Sequence, residues 1–225
     1  MTTVDVHVVR AFVDPSGAFG NPLGIVDGAL VPAEERLRLA ARLGYSETVF
    51  VDEPASGLIQ IFSATGEMPF AGHPTVGVAW WLHAQGQQVA VLRVPAGEVP
   101  VVRSNGITAV RANAAWGSAF DWHQLDTPAE VVAASPAFYS AGHTYLWAWE
   151  DEPQGRIRAR VFAPAMGVPE DEATGSAATQ LTARLGRSLH IVQGAGSHLH
   201  TTNLSGGWTT VGGRVLPAPT RTITY

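Results

Sequence analysis

Three short polar segments of the chain contain side chains that could transfer protons. Glu47 lies in Tyr-Ser-Glu-Thr-Val-Phe, His73 in Phe-Ala-Gly-His-Pro, and Asp171 in Pro-Glu-Asp-Glu-Ala-Thr-Gly-Ser. A free glutamate carboxyl has a pKa of about 4.3, so it needs apolar or anionic surroundings to take and return a proton near neutral pH. A glutamate at the start of a strand is more often a solvated surface residue, and that is the alternative for Glu47. Other acidic candidates occur beside these segments: Glu67, Glu170 and Glu172.

The composition excludes several other kinds of chemistry. The 225-residue chain contains no cysteine, and all 14 of its Lys and Arg residues are arginine. Disulfides, thiolate metal sites and a cysteine nucleophile are therefore absent, and no lysine is present to form a Schiff base or a P-loop. The sequence also lacks a Gly-x-Gly-x-x-Gly fingerprint and a Gly-x-Ser-x-Gly elbow. Neither dinucleotide binding nor a serine hydrolase is indicated.

Charge and hydropathy indicate a protein of the cytoplasm. A formal net charge of -5 with scattered arginines argues against a nucleic-acid partner. Asp5 and Arg10 interrupt the N-terminal segment, which therefore lacks the apolar run of a signal peptide. The longest apolar run, Val76 to Leu82, is far shorter than the roughly 20 residues that span a bilayer. We expect a cytoplasmic protein with no membrane partner.

Two groups of side chains carry alternative interpretations. His198 and His200 share one face of a predicted strand, but no third ligand or His-Glu-x-x-His motif accompanies them, so we expect no metal site. Four tryptophans could line a pocket for an aromatic ligand, although filling of the core is the preferred interpretation: Trp80, Trp81, Trp147 and Trp149.

Strands dominate the predicted secondary structure, since short runs rich in Val, Ile, Thr and aromatics alternate with Gly and Pro. We predict at least twelve strands: Val4 to Val13, Gly24 to Val26, Thr48 to Val51, Leu58 to Phe62, Val89 to Val94, Val99 to Arg103, Ile107 to Arg111, Thr144 to Trp149, Ile157 to Phe162, His190 to Gln193, His198 to Thr202, Trp208 to Val211 and Arg221 to Thr224. Four helices are predicted: Pro32 to Leu43, Pro74 to His83, Pro128 to Ala134 and Gly175 to Leu185. The second of these is apolar nearly all round, which is typical of a helix enclosed by a sheet.

Two of the helices belong to a repeated unit. Segments 61 to 82 and 161 to 182 each contain an apolar strand ending in Phe, a polar loop with Pro, and a Gly that opens a helix. The Phe-to-Gly spacing is 10 residues in the first copy and 13 in the second. The repeat predicts two related α+β lobes, residues 1 to 113 and 114 to 225, and the last strand could complete the N-terminal lobe. Chance similarity of two strand-loop-helix units is the alternative.

Both copies place free backbone N-H groups at the start of a helix, at Gly72-His73 and at Thr174-Gly175-Ser176. Such helix N-termini bind carboxylates or phosphates through unpaired amides and the helix dipole. Two of them facing each other would hold a small anion between the lobes. The alternative is that Thr174 is an ordinary helix cap.

Four blocks of the sequence, taken together, resemble the phenazine-biosynthesis PhzF-like family. They are AFGNPLGIV (18 to 26), GYSETVFV (44 to 51), EMPFAGHPTVG (67 to 77) and PEDEATGSAA (169 to 178). The resemblance implies a diaminopimelate-epimerase-like fold. In that fold two pseudo-symmetric lobes each wrap a curved, mostly antiparallel sheet around a central helix, and the active site lies in the cleft.

The resemblance also implies an activity. Family members act without a cofactor, usually as homodimers, and the best-known reaction is the isomerisation of trans-2,3-dihydro-3-hydroxyanthranilate by proton transfer. Carried over by motif, Glu47 is the catalytic acid/base, and His73 and Asp171 flank the substrate and position it or relay protons. The positions implied to bind the carboxylated substrate are Ser46, Gly72, Thr174, Gly175 and Ser176.

Two departures leave alternatives open. The chain is shorter than typical members of the family, apparently around Ala114 to Glu152. The epimerases of this fold use two opposed cysteines, which this chain lacks. We expect a cofactor-independent isomerase of a small, carboxylated, cyclic substrate. An amino-acid epimerase or racemase and a non-catalytic binding protein on the same fold are the alternatives.

Overall fold

A computed structural model describes residues 3 to 139, 141 to 164 and 167 to 225. The described residues form fifteen strands: β1 (Thr3–Val13), β2 (Asn21–Asp27), β3 (Glu47–Glu53), β4 (Leu58–Ser63), β5 (Glu67–Met68), β6 (Val91–Val94), β7 (Gly97–Ser104), β8 (Ile107–Asn113), β9 (Asp121–Gln124), β10 (Thr144–Asp151), β11 (Arg156–Ala163), β12 (Val168–Asp171), β13 (Leu189–Gln193), β14 (Ser197–Asn203) and β15 (Trp208–Thr224). They also form four α-helices: α1 (Ala33–Leu43), α2 (Gly72–Ala84), α3 (Pro128–Ala133) and α4 (Gly175–Leu185).

The strands form one continuous, mostly antiparallel path in the order β1-β2-β3-β4-β6-β7-β8-β15-β14-β13-β11-β10-β9. β5 pairs with β4, and β12 pairs with β11. The first part of β15 pairs with β8 and β14, and its second part pairs with β1. The predicted α+β class is confirmed. The division into lobes at residue 113 stays a prediction.

One prediction about the strands is wrong. The sequence predicts separate strands at Trp208 to Val211 and Arg221 to Thr224, whereas a single strand, β15, runs through both and through the glycines and prolines between them. The glycines allow close approach rather than a turn, because a Cβ on Gly212 would overlap that of Ala109. Three short strands were not predicted: β5, β9 and β12.

Helix α2 lies inside the sheet, as its apolar sequence predicts. Its residues from Gly72 to Ala79 and Leu82 are buried, and it packs against β1, β2, β3, β8 and β15. It begins two residues before the predicted start at Pro74. Proline is accommodated there because the first turn of a helix needs no N-H donor for intrahelical bonds.

The two copies of the repeat fold alike. In each copy a long strand is followed by a short returning strand and a helix, β4-β5-α2 in the first and β11-β12-α4 in the second. The N-termini of α2 and α4 abut each other. A Cβ on Gly72 would lie 2.6 Å from Gly175 Cα, and one on Gly175 would lie 2.8 Å from Gly72 Cα. Glycine at both positions therefore permits the contact between the helices.

Gly72→Ala should lower the free energy of unfolding by about 1–3 kcal/mol, as overpacking of a well-packed site does. The added methyl group meets backbone atoms of Gly175, which cannot rotate away as a flexible side chain would. Gly66→Ala is the matched control, because a Cβ there meets nothing within 4 Å. Urea unfolding measures both variants; equal stability of the two would contradict the close helix contact.

Candidate active site

Glu47 is the first residue of β3 and faces the interior. Helix α1 ends at Leu43, and its C-cap Gly44, with a left-handed φ of 74°, turns the chain towards β3, which begins three residues later at Glu47. β3 pairs with β2 and β4, which fixes Glu47 opposite Ser63. The residue is 9% exposed, and its Oε2 atom has no hydrogen-bond partner among the described residues. The alternative of a solvated surface glutamate therefore does not apply.

The surroundings of Glu47 favour its protonated form. Burial, together with the negative charge of Asp171, raises the pKa of Glu47 to about 8. A carboxyl group with this pKa exchanges a proton readily near neutral pH, which a solvated glutamate does not.

His73 is the second residue of α2 and is 3% exposed. Burial lowers the pKa of His73 to about 3, so the imidazole is neutral at physiological pH. Its Nδ1 atom lies 3.4 Å from Glu47 Oε2 and 3.5 Å from Asn21 Nδ2. Its Nε2 atom is buried without a partner among the described residues. A neutral imidazole beside a protonated carboxyl forms no ion pair, but it can donate or accept one hydrogen bond.

Asp171 ends β12 and accepts a hydrogen bond at each carboxylate oxygen. Asn21 Nδ2 donates to Oδ1 at 2.6 Å, and Thr174 Oγ1 donates to Oδ2 at 2.5 Å. Burial raises the pKa of Asp171, and the two hydrogen bonds oppose that effect. Of the two neighbouring carboxyl groups, Asp171 therefore has more hydrogen-bond donors among the side chains around it.

The abutting N-termini of α2 and α4 leave backbone donors free. The first intrahelical hydrogen bonds start at Thr75 N and Ala178 N, and neither helix has a side-chain cap. The amides of Gly72, His73, Gly175 and Ser176 precede them. Two helix N-termini with amides available in this way are able to bind an anion, since the helix dipoles add positive partial charge at the same point.

The side chain of Thr174 makes no capping hydrogen bond to helix α4. Its hydroxyl donates to Asp171 and accepts a hydrogen bond from Gln193 Nε2 at 2.9 Å. Ser46, by contrast, has a buried hydroxyl without a partner among the described residues, directly before Glu47.

A cavity of about 40 Å³ brings seven of the predicted site residues together: Glu47, Gly72, His73, Asp171, Thr174, Gly175 and Ser176. Sequence reasoning missed three further residues that line the cavity: Met68, Phe120 and His143. It also missed Asn21, although the Phe-Gly-Asn-Pro segment that contains Asn21 is part of one of the four blocks. The phenyl and imidazole rings of Phe120 and His143 lie 5.7 Å apart at the rim of the cavity.

The remaining acidic candidates lie outside the cavity. Glu67 is exposed on β5. Glu170 forms a salt bridge with Arg160 at 2.6 Å. The carboxylate of Glu172 accepts from Ala195 N at 2.8 Å and from Ser197 Oγ at 2.7 Å, so it holds a turn.

The neighbouring histidines and the four tryptophans considered above lie outside the cavity. His198 and His200 lie beside His190, but no group of three His, Cys, Asp or Glu side chains among the described residues is placed to hold a metal ion. None of the four tryptophans lines the cavity. Trp81 lines a separate space of about 620 Å³ at the other end of α2, remote from Glu47.

A family model described as phenazine biosynthesis-like protein (PhzC-PhzF) matches residues 9 to 135 and 124 to 206. The trans-2,3-dihydro-3-hydroxyanthranilate isomerase of Pseudomonas aeruginosa is 31% identical over 215 residues, covering 78% of this chain and 77% of the relative. The isomerase of the same name from Pseudomonas fluorescens is 30% identical over 212 residues, covering 76% of each.

Solved structures share the fold. A PhzF-family protein of Enterococcus faecalis superposes with a TM-score of 0.81 at 17% identity, covering 100% of both chains. A hydroxyproline epimerase of Agrobacterium vitis gives a TM-score of 0.65 at 12% identity, covering 98% of this chain and 92% of that chain. The fold is therefore that of the epimerase-like α+β proteins. The chain belongs to the PhzC-PhzF family, and it is an isomerase.

No helix of the described residues has both the length and the hydropathy needed to cross a membrane.

Glu47→Gln should flatten the pH dependence of stability. The folded protein holds the proton of Glu47 up to about pH 8, whereas the unfolded chain releases it near 4.5, so Glu47 destabilises the fold increasingly as pH rises through that interval. The variant should gain about 1–3 kcal/mol in unfolding free energy relative to the native protein between pH 5 and 8.

Denaturant unfolding across this pH range measures the difference. Glu67→Gln, at an exposed glutamate, is the control and should leave the dependence unchanged. A constant difference between Glu47→Gln and the native protein would show that Glu47 titrates normally.

Proposed function

We propose that this isomerase moves a proton between two carbon atoms of a small, cyclic carboxylate, with Glu47 as the acid/base. One observation carries the proposal: the buried carboxyl of Glu47, whose Oε2 atom has no hydrogen-bond partner among the described residues and whose pKa is raised to about 8, lies beside two abutting helix N-termini. This arrangement pairs a proton-transfer group with a position for an anion.

The amides at the N-termini of α2 and α4 are proposed to hold the substrate carboxylate. Gly72 and Gly175 contribute main-chain donors close together because neither carries a side chain. Ser176 adds a second amide from α4 and lines the cavity. The fixed donors hold the ring in one orientation, which converts proton transfer into a step between positioned groups.

Glu47 is proposed to act in two steps. In its ionised form it removes a proton from one ring carbon, and the electron pair of the C-H bond moves into the conjugated system. The protonated carboxyl then returns the proton to another carbon on the same face. One residue serves both steps because a pKa of about 8 balances the two forms near neutral pH.

His73 and Asp171 are proposed to flank the reacting substrate. The unpartnered Nε2 atom of His73 gives the neutral imidazole a free position for a hydrogen bond to the substrate. Asp171 holds its negative charge near Glu47 and maintains the raised pKa. The proposed chemistry uses no group other than side chains and amides of the chain.

The substrate is proposed to be trans-2,3-dihydro-3-hydroxyanthranilate or a related cyclic amino or hydroxy acid. The names of the Pseudomonas relatives support this choice. A cavity of about 40 Å³ holds a few water molecules but no six-membered ring. Binding therefore requires the cavity to widen, and the rim at Phe120 and His143 is where it borders a further open space.

An epimerase would need a second acid/base group opposite Glu47 that is equally indispensable. Asp171 is the available carboxyl, but both of its oxygens already accept short hydrogen bonds. This observation favours a single shuttling carboxyl over an opposed pair.

The assembly and location follow the resemblance to the family. The protein is proposed to act as a homodimer in the cytoplasm. Sedimentation equilibrium determines the first property and cell fractionation the second.

Glu47→Gln should abolish substrate proton exchange while retaining binding, because glutamine preserves the shape of the side chain but carries no transferable proton. With trans-2,3-dihydro-3-hydroxyanthranilate in deuterium oxide, the native protein should incorporate deuterium at a ring carbon, and the variant should do so at least 1000-fold more slowly, a loss of about 4 kcal/mol in transition-state stabilisation.

Glu67→Gln should exchange at the native rate. A screen of cyclic amino and hydroxy acids by thermal shift extends the test to other substrates. Turnover retained in Glu47→Gln would exclude Glu47 as the acid/base, and binding without exchange in the native protein would indicate a binding protein.

A further inference from the structure

We propose that Asn21 and Thr174 are positioning residues that hold Asp171 as the ionised carboxylate and so leave the mobile proton of the site on Glu47. The inference rests on the proposed function of Glu47 and extends it to two residues that need no contact with substrate. It also gives Thr174 a role other than the substrate binding implied by the resemblance.

Asn21 connects the two copies of the repeat at the site. It is the first residue of β2 and is 3% exposed. Its amide nitrogen contacts the Asp171 carboxylate at 2.6 Å and the Ala173 carbonyl at 3.0 Å, and it lies 3.5 Å from His73 Nδ1. An amide N-H2 group is a donor only, so the contact at 2.6 Å suits an acceptor oxygen and favours the carboxylate.

Thr174 approaches Asp171 from the other side. Gln193 Nε2 donates to Thr174 Oγ1 at 2.9 Å, which directs the single hydroxyl proton of Thr174 towards Asp171 Oδ2 at 2.5 Å. Gln193 also donates to the Asp171 carbonyl at 3.0 Å and is fully buried. Both oxygens of Asp171 therefore face donor groups, an arrangement that favours the ionised carboxylate.

Other titratable groups lie around Asp171, and they affect which carboxyl group of the site is ionised. Glu47 from β3 and the neutral His73 from α2 line the same cavity as Asp171, and Glu172 follows Asp171 in the chain. Two carboxyl groups in one dry site do not both ionise at neutral pH. Two short hydrogen bonds reach Asp171, whereas Glu47 Oε2 has no hydrogen-bond partner among the described residues and only the neutral His73 Nδ1 atom near it, at 3.4 Å. The ionised state thus belongs to Asp171.

The substitution Thr174→Val removes the hydroxyl and keeps the shape, and Thr174→Ser keeps the hydroxyl. This matched pair separates the hydrogen bond from packing. In protein labelled with ¹³C at Asp and Glu carboxyl carbons, Glu47 and Asp171 are followed by NMR from pH 4 to 10. Their resonances are assigned by their loss in Glu47→Gln and Asp171→Asn. The experiment requires no substrate.

In the native protein and in Thr174→Ser, Asp171 should be ionised at pH 7 and Glu47 protonated, with a midpoint near pH 8. In Thr174→Val, the pKa of Asp171 should rise by about one pH unit, because the donor to its Oδ2 atom is lost. The midpoint of Glu47 should fall in turn, because Asp171 then carries less of the neighbouring negative charge. Asn21→Ala should shift both groups in the same direction.

Unchanged titration of both groups in Thr174→Val and Asn21→Ala would overturn the proposal, as would equal shifts in Thr174→Val and Thr174→Ser. These results leave the proposed function intact, since it fails only if Glu47→Gln retains exchange. An Asn21→Ala protein that does not fold leaves the Thr174 pair to decide.

Discussion

The contact between the N-termini of α2 and α4 is the constraint on which the site depends. Each helix is the core of one copy of the repeat, and the two meet where Gly72 and Gly175 leave no side chain between their backbones. Because the first-turn amides of a helix have no intrahelical acceptors, bringing two such ends together concentrates unpaired donors and positive partial charge at one point.

The same contact determines the surroundings of the acid/base groups. His73 follows Gly72 in α2, and Asp171 and Thr174 precede Gly175, so the two abutting ends carry these side chains to the edge of β3 at Glu47. Burial at this junction raises the pKa of Glu47 and lowers that of His73. Polar groups without partners usually destabilise a fold. Here they remain at the position where a substrate would meet them.

Much of this could be predicted from the sequence because it depends on local pattern. The all-apolar α2 segment, the glycine at each helix start and the repeated strand-loop-helix order are visible in the residues themselves. The continuity of β15 could not be predicted from the sequence. Gly212 is a residue type typical of turns, and only the folded structure shows that glycine is needed there for the close approach of Ala109. Similarly, Asn21 lies 150 residues from Asp171 in the chain, and only the pairing of distant elements brings the two together.

The roles of the acidic residues before α4 could not be predicted from local sequence pattern either. Three consecutive carboxylates have different roles: Glu170 pairs with Arg160, Asp171 lines the cavity and Glu172 holds a turn. Glu170 and Asp171 are consecutive residues of β12 and therefore point to opposite faces, and Glu172 follows the end of the strand. Which face of β12 meets the cavity depends on the pairing of β12 with β11. The sequence does not predict β12, because this strand is only 4 residues long.

The most direct test of the account is a crystal structure with 3-hydroxyanthranilate, an aromatic carboxylate of the size and shape proposed for the substrate. The ligand carboxylate should lie within hydrogen-bond distance, about 2.7–3.2 Å, of amides at the starts of both α2 and α4. The Glu47 carboxyl should lie against one face of the ring. A ligand whose carboxylate lies on arginine side chains away from Gly72 and Gly175, with Glu47 remote from the ring, would contradict it.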